Sequence, residues 1–497
     1  MLIACAVLLE FGTFGCVSLP SSAAERKHES AGQAQCLEEA LRQRLDILWV
    51  AYQQQMSVEL KASLGAGNLT ALYNLQLQTS SLLRYAHECG DYSKLSELAK
   101  LYLVPLDYRT ITSTSIVPMG GSIESVALSR PTAIWVNGDK SEATHPNAYF
   151  AYLMAKSLNV FLALPPSVLS TPIRRFITDY REVVLERYMR WLFGDGLFQV
   201  NGWGCGPRRL NHKEFIEHKL GMDFGDQSGT SYCNAVTDDD LVLIAGASEL
   251  LKANELSSAD FVLSADHRRR LLAYVSLGSQ LIESRTTSTR LVDFEGRDTF
   301  GIDFDAGAWR DHPEYQYAGY EGVSFPEPTQ VARVKGIGWD LAHAGIIGQV
   351  LETLHDNRSA TLQAFPDLRV LAGFTNQITF RVFNRQIRTP GFTNFIDGSN
   401  GWYRVNYAER PGFGYGPGDL SIGFMRGGYS FLKKYNADLG RLVAAEWVML
   451  SSTDPEITAY RSSLGQYFQS GARTSGGPSD VDLLTFIPTL LTGAGSH

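Results

Sequence analysis

Apolar residues at helical spacing recur along most of this chain, and consecutive helical segments are joined alternately by short turns and by long loops. Residues 36–62 put Leu41, Leu45, Leu48 and Tyr52 on one face of a helix. Similar patterns occupy about 67–86, 91–103, 146–163 and 170–193. Thr237-Asp-Asp-Asp240 precedes the run LVLIAGASELLKAN, so Thr237 is a good N-cap and the carboxylates suit the first turn of a helix. Further helical segments fall near 260–284, 336–355, 364–384, 421–435, 437–450, 455–470 and 481–492. Strand signals are confined to 107–137, where TITSTSIVP and AIWVNG are β-branched, alternating and punctuated by Gly and Pro. Residues 286–330 and 385–420 read as long polar, aromatic loops.

Helical hairpins in series close well into a ring, inner helices burying both faces and outer ones burying a single face. The expected fold is therefore mainly α, an (α/α)6-type toroid, with a small β-rich insertion at about 105–140. No motif recurs at fixed period, which disfavours an ordinary solenoid. Residues 36–497 are expected to form one such domain.

At 497 residues and 44% hydrophobic, with aromatics at 11%, the chain has ample material for a core, which excludes disorder as its main state. A net charge of −8 gives nothing to attract phosphate backbones, so no nucleic-acid partner is expected. After the N-terminus no apolar run approaches bilayer length.

Residues 2–19 form an apolar run of signal-peptide length, though a basic flank is missing and Glu10 interrupts it. Thr13-Phe14-Gly15-Cys16 loosely matches a lipoprotein signal that would anchor the chain to a membrane through lipidated Cys16. Ser22-Ala23-Ala24 is the alternative cleavage site. Residues 1–24 are thus expected to be an export signal and 25–35 a tether, placing the protein in the periplasm, on the outer membrane or outside the cell. Four cysteines then remain, and Cys36–Cys89 with Cys205–Cys233 is the favoured one of three pairings. No C-x-x-C spacing points to zinc, and no metal or cofactor is expected.

Three stretches carry residues suited to chemistry. Residues 303–321 hold five carboxylates, including Glu314, together with Trp309, His312, Tyr315 and Tyr317. Aromatic faces stack on the C–H faces of sugar rings, and carboxylates bind hydroxyls or transfer protons. In Gly336-Ile-Gly-Trp339-Asp340-Leu-Ala-His343, Asp340 and His343 head a helical stripe continued by Ile347, Val350 and Leu354. Polar groups at the end of an apolar stripe are paired or face a cavity. An N-capping Asp beside a core His is the plainer interpretation. The third stretch runs from Asn394 to Asp419 and holds Asp397, Asn400, Trp402, Tyr403 and Arg404 among glycines that allow close approach to a ligand. Asp419 is read as a helix cap, and Trp203 in NGWGCGPRR as either a further aromatic subsite or part of a disulfide-tied turn. No H-E-x-x-H, G-x-S-x-G or P-loop is present.

Helical hairpins bearing Gly-, aromatic- and carboxylate-rich loops resemble the α/α-toroid carbohydrate-active enzymes that bacteria export to the envelope, the glycoside hydrolases and polysaccharide lyases. The resemblance is architectural and assigns no residue roles. It implies an oligo- or polysaccharide substrate. A hydrolase would use Glu314 as acid and Asp340 or Asp397 as base, roughly 6.5–9.5 Å apart if the enzyme inverts. A lyase would use His343 or His312 with Tyr317 as base, and Arg404 and Asn400 to neutralise a uronate. Trp203, Trp309, His312, Tyr317, Trp339, Asn400, Trp402, Tyr403 and Arg404 are the expected substrate contacts. Hydrolysis is favoured by a small margin. A glycan-binding envelope lipoprotein without catalysis would use the same aromatics.

Overall fold

The computed structural model describes residues 36–119, 122–194, 205, 210–222, 231–256, 260–322, 330–406, 412–466, 468–469, 472–473 and 476–491. The expected export signal, its Cys16, the tether and Trp203 lie outside them. The described chain is mainly helical. In chain order it runs α1 (Glu39–Gly65), α2 (Thr70–Glu88), α3 (Tyr92–Leu103), β1 (Thr110–Met119), β2 (Ser122–Ile134), α4 (Thr144–Leu162), α5 (Thr171–Phe193), α6 (His212–Gly221) and α7 (Asp238–Leu256). There follow α8 (Ala265–Ser284), β3 (Thr286–Val292), β4 (Asp298–Phe304), α9 (Leu341–Asp356), α10 (Arg358–Thr361), α11 (Leu368–Asn376), α12 (Gly423–Arg426), α13 (Ala437–Ser451), α14 (Pro455–Ser463), β5 (Phe468–Gln469), β6 (Ala472–Arg473) and α15 (Asp480–Phe486).

Burial separates two kinds of helix. In α1 a single stripe is buried, Leu45, Trp49, Tyr52, Met56 and Leu60, while Ile47 and Val50 face outward. In α4 every residue from Asn147 to Ala155 is buried, and in α7 every residue from Asp240 to Leu251. Helices apolar on all sides must be enclosed by others. Accordingly α4 packs against α2, α5 and α7, and α7 against α8 and α9. α9 meets α12, α12 meets α15, and α15 meets α2.

Cross-links at both ends set the direction of these helices. His145 and Asp239 join the N-termini of α4 and α7, whereas Asn159 and Glu249 meet near their C-terminal ends. Tyr152 bonds Thr353 at 3.0 Å, Asn357 bonds Ser248 at 3.2 Å, and Arg84 bonds Glu352 at 2.7 Å. α2, α4, α7 and α9 therefore run side by side in one direction, with their N-termini at the same end.

β1 and β2 form the expected antiparallel hairpin, with an irregularity between Thr112 and Thr114. A second hairpin corrects the sequence reading. β3 and β4 pair from Thr286↔Phe304 to Val292↔Asp298, inside a stretch read as loop. Segment 364–384 is also not one α-helix, since α11 passes into a π-helix at Gln377–Val382. The stretch 421–435 is broken as well, α12 being flanked by 3-10 turns at Asp419–Ile422 and Tyr429–Tyr435. α14 ends at Ser463, short of the expected 470. Both expected disulfides are formed, Cys36–Cys89 and Cys205–Cys233. Two disulfides fit an exported protein. Among the described residues no helix is long and apolar enough to cross a membrane.

Candidate functional site

At the N-terminal ends of the parallel helices lies a cavity of about 580 Å³, lined in part by Tyr73, Tyr149, His343, Tyr403, Arg404 and Arg426. Its reactive wall begins at α9. Asp340 is the N-cap and accepts the backbone N–H of His343 at 3.1 Å. The same carboxylate holds His343 Nδ1 at 2.8 Å and accepts the Tyr315 hydroxyl at 3.0 Å. Asp340 is 1% exposed, while the His343 side chain keeps 29% exposure toward the cavity. Burial works against charge on both. It is outweighed by their attraction, so the imidazole is raised above its ordinary value and the carboxyl is held below its own. The plainer interpretation of Asp340 is correct as far as it goes: it caps, and it also aims the imidazole.

Loop–loop pairing brings in Arg404. Trp402 N–H donates to Tyr317 O at 3.0 Å, Arg404 N–H to Glu314 O at 3.0 Å, and Tyr403 exchanges two backbone bonds with Tyr415. Gly401 permits this approach, because a Cβ there would lie 2.1 Å from Ala318 O. Arg404 itself has φ +56°, an unusual conformation for a non-glycine residue, and such strain tends to persist where a side chain is being aimed. Its Nε donates to Glu314 Oε2 at 2.9 Å. Burial opposes its charge, but Tyr403, Glu314 and Asp340 together hold it firmly protonated.

Sequence reasoning missed the group behind Tyr73 and Tyr149, which line the cavity. His145, at the start of α4, bonds Asp239 at 2.9 Å, and Tyr149 donates to Asp238 at 3.0 Å. Tyr73 packs edge-on against Tyr149, ring centres 4.7 Å apart. Burial acts against the His145 charge, yet Asp239 and Asp238 raise it to about 9. Asp239 is itself pushed up by burial. The ligand atoms of His145, Asp238 and Asp239 lie within 4.8 Å of one another, so this group could hold a divalent ion. Asp238 and Asp239 were visible only as first-turn helix acids. Nothing along the chain links them to His145, 93 positions earlier at the nearest.

The remaining predicted residues divide by burial. Trp309 stacks on Tyr315 at 5.3 Å, and Trp339 lies edge-on to Trp309. All three rings are buried, and of them Tyr315 reaches the Asp340 carboxylate. His312 is 4% exposed between Tyr232 and Trp309, and burial, then Arg404, push it down to about 4. It is a neutral packed ring and accepts Glu314 N–H at 3.2 Å. Tyr317 is half-buried and contributes its backbone to the loop pairing. Asn400 Oδ1 ties the third loop together through Asn394 N–H and Gly418 N–H. Asp419 binds back to Gly416 N–H at 2.7 Å, which corrects its reading as a forward cap. Asp397 is not brought to His343. It accepts Ser399 Oγ at 2.7 Å, and its charged neighbours are Arg381 and Asp303, the latter pushed up to about 7 by burial.

Trp402 corrects the stacking expectation most sharply. It is 0% exposed and packed on Phe468, so it has no face to offer a sugar. Trp402→Ala is expected to destabilise the fold by about 3–5 kcal/mol through loss of a buried ring. Urea denaturation would check this, and an unchanged midpoint would mean that the ring is not in the core. Comparison with family models, with curated proteins and with solved structures gave no match to this chain.

Proposed function

We propose that this chain is an exported enzyme that cleaves a uronate-containing polysaccharide by β-elimination, and that its helices close into an α/α toroid around the cleft. For the toroid, the support is the cycle of contacts from α2 through α4, α7, α9, α12 and α15 back to α2. One observation carries the elimination reading: a histidine aimed by a buried carboxylate lines the same cavity as an arginine fixed in its charged form.

His343 Nδ1 is occupied by Asp340, so Nε2 is the nitrogen left for substrate. In this mechanism Nε2 takes the proton on the carbon next to the uronate carboxylate. Arg404 pairs with that carboxylate and stabilises the negative charge that builds on it. The carbanion's electron pair forms the new C=C bond as the glycosidic C–O bond breaks at the β-carbon. The departing oxygen takes a proton from a tyrosine hydroxyl, Tyr149 or Tyr403. Atoms and charge balance without a metal or a redox partner.

Hydrolysis, which the sequence favours, is the second reading. Glu314 pairs with Arg404, and Asp340 is engaged by His343 and Tyr315, so neither stands ready as the proton donor hydrolysis needs. What supports hydrolysis is a different pair, Asp239 pushed toward its protonated form beside Asp238. Incubation with pectate, alginate and hyaluronan separates the two. Elimination produces one ultraviolet-absorbing unsaturated end per new reducing end. New reducing ends without absorbance would establish hydrolysis instead.

A further inference from the structure

Below His343 and Arg404 the cavity continues between the helices. Eight residues separate Tyr73 from Ser81 on α2 and six separate His343 from Gln349 on α9, a descent of roughly 9–12 Å at about 1.5 Å per residue. The lining at this depth includes the polar side chains Gln76, Ser80, Ser81 and Gln349, beside apolar Leu77 and Ile346. Gln76 is 1% exposed and its carboxamide oxygen has no hydrogen-bond partner. A buried acceptor left open is costly, so a ligand donor is its natural complement. Gln349 donates from Nε2 to Gly427 O at 3.1 Å, which orients its amide.

Deeper still the chemistry changes. A smaller void of about 190 Å³ shares Ser80, Ser81 and Gln349 with the upper one. Across it Glu352 binds Arg84 at 2.7 Å and Lys434 at 2.9 Å. This ion-paired floor lies beyond the amide and hydroxyl layer, which borders both voids.

We infer that Gln76, Ser80, Ser81 and Gln349 form an inner subsite for the terminal sugar of the substrate, so that the enzyme cuts at chain ends. The inference rests on the elimination reading for its cleavage point, and on the cavity alone for its ligand. Amides and hydroxyls match the hydroxyls that every sugar of such a polymer carries. The upper volume of about 580 Å³ falls within the range of about 300–1,000 Å³ that holds a small ligand.

Two measurements test it together. The first is the product size early in digestion of whichever of pectate, alginate or hyaluronan is cleaved. The expected result is mono- or disaccharide product with polymer length almost unchanged. A ladder of intermediate lengths overturns the subsite and leaves elimination intact. The second is calorimetric titration of saturated disaccharides from the same three polymers into wild type, Ser81→Leu and Gln349→Ala. The expected result is binding by wild type and at least tenfold weaker binding by both variants. Gln349→Ala guards against Ser81→Leu failing to fold. Disaccharide binding lost in the variants, with no polymer cleaved, would retain the subsite and overturn elimination. Equal affinity in all three proteins, or no binding by wild type, overturns the subsite.

Discussion

His343→Ala is expected to lower turnover of a cleaved polyuronate by about 10²–10⁴-fold, the usual contribution of a positioned acid–base group, while KM changes by no more than a few-fold. In the proposed mechanism the imidazole touches the substrate at one hydrogen, so ground-state binding should lose little. Asp340→Asn tests positioning separately. Asp340 is what lifts His343 above its ordinary value, since burial alone would depress it. In wild type, kcat/KM is expected to rise with pH as the imidazolium deprotonates, with a midpoint above about 6.5. In Asp340→Asn that limb should move to lower pH, because the attraction holding the proton is gone, and the maximal rate should fall because the ring is no longer aimed. A merely structural Asp340 would alter melting temperature and leave the limb in place. Arg404→Lys should raise KM for uronate polymers, since a single ammonium cannot reproduce the guanidinium's two-point grip on a carboxylate.

How far these residues could be found from sequence depends on whether their signal was local. The Asp340–His343 dyad was legible because both members sit on one helix, three residues apart, at the head of an apolar stripe. Its buried continuation, Ile347, Val350 and Leu354, follows the predicted face. Helix positions were legible for the same reason, and the two cysteine pairings because few alternatives existed. Pairing across the chain left no such trace. The β3–β4 hairpin was hidden by its composition, since Thr286-Thr-Ser-Thr-Arg290 and Asp298-Thr-Phe-Gly301 hold few of the alternating apolar residues that mark a strand. Its buried part is short, the last four residues of β4 and Leu291 on β3. The aromatic loops misled in a specific way. Trp and Tyr beside glycine suit a sugar platform and an aromatic core equally, and only their place in the fold separates Trp402 and Trp339 in the core from Tyr73 and Tyr403 at the cavity wall. Along the chain Glu314 stands among aromatics, as a buried acid would, but the decisive neighbour, Arg404, lies 90 positions away.

The floor of the cleft gives the second large effect. Glu352 is 4% exposed, near the C-terminal end of α9, with Arg84 and Lys434 on either side. Burial alone would raise its carboxyl. The two cations more than offset that and bring it to about 2, against an ordinary value of 4.5. A carboxyl depressed by folding stabilises the native state above its unfolded value, and that contribution fades as pH falls toward the folded one. The gap corresponds to roughly 3 kcal/mol, present at neutral pH and lost between about 4.5 and 2. Glu352→Gln is therefore expected to cost about 3–5 kcal/mol at pH 7, because it leaves Arg84 facing an amide in a buried site. The deficit relative to wild type should shrink steadily as the pH is lowered below about 4.5, where the wild-type carboxyl begins to take up its proton. Melting curves for both proteins across that range check the point, and parallel curves would mean that the charge on Glu352 is not what holds α9 to α2. Arg84→Met and Lys434→Met combined with Glu352→Leu should recover much of the loss, since a buried ionic group exchanged whole for apolar side chains is often neutral or stabilising. That recovery would show that the ion-paired floor is kept for its polarity at the end of the cleft and not for the stability it gives the helices.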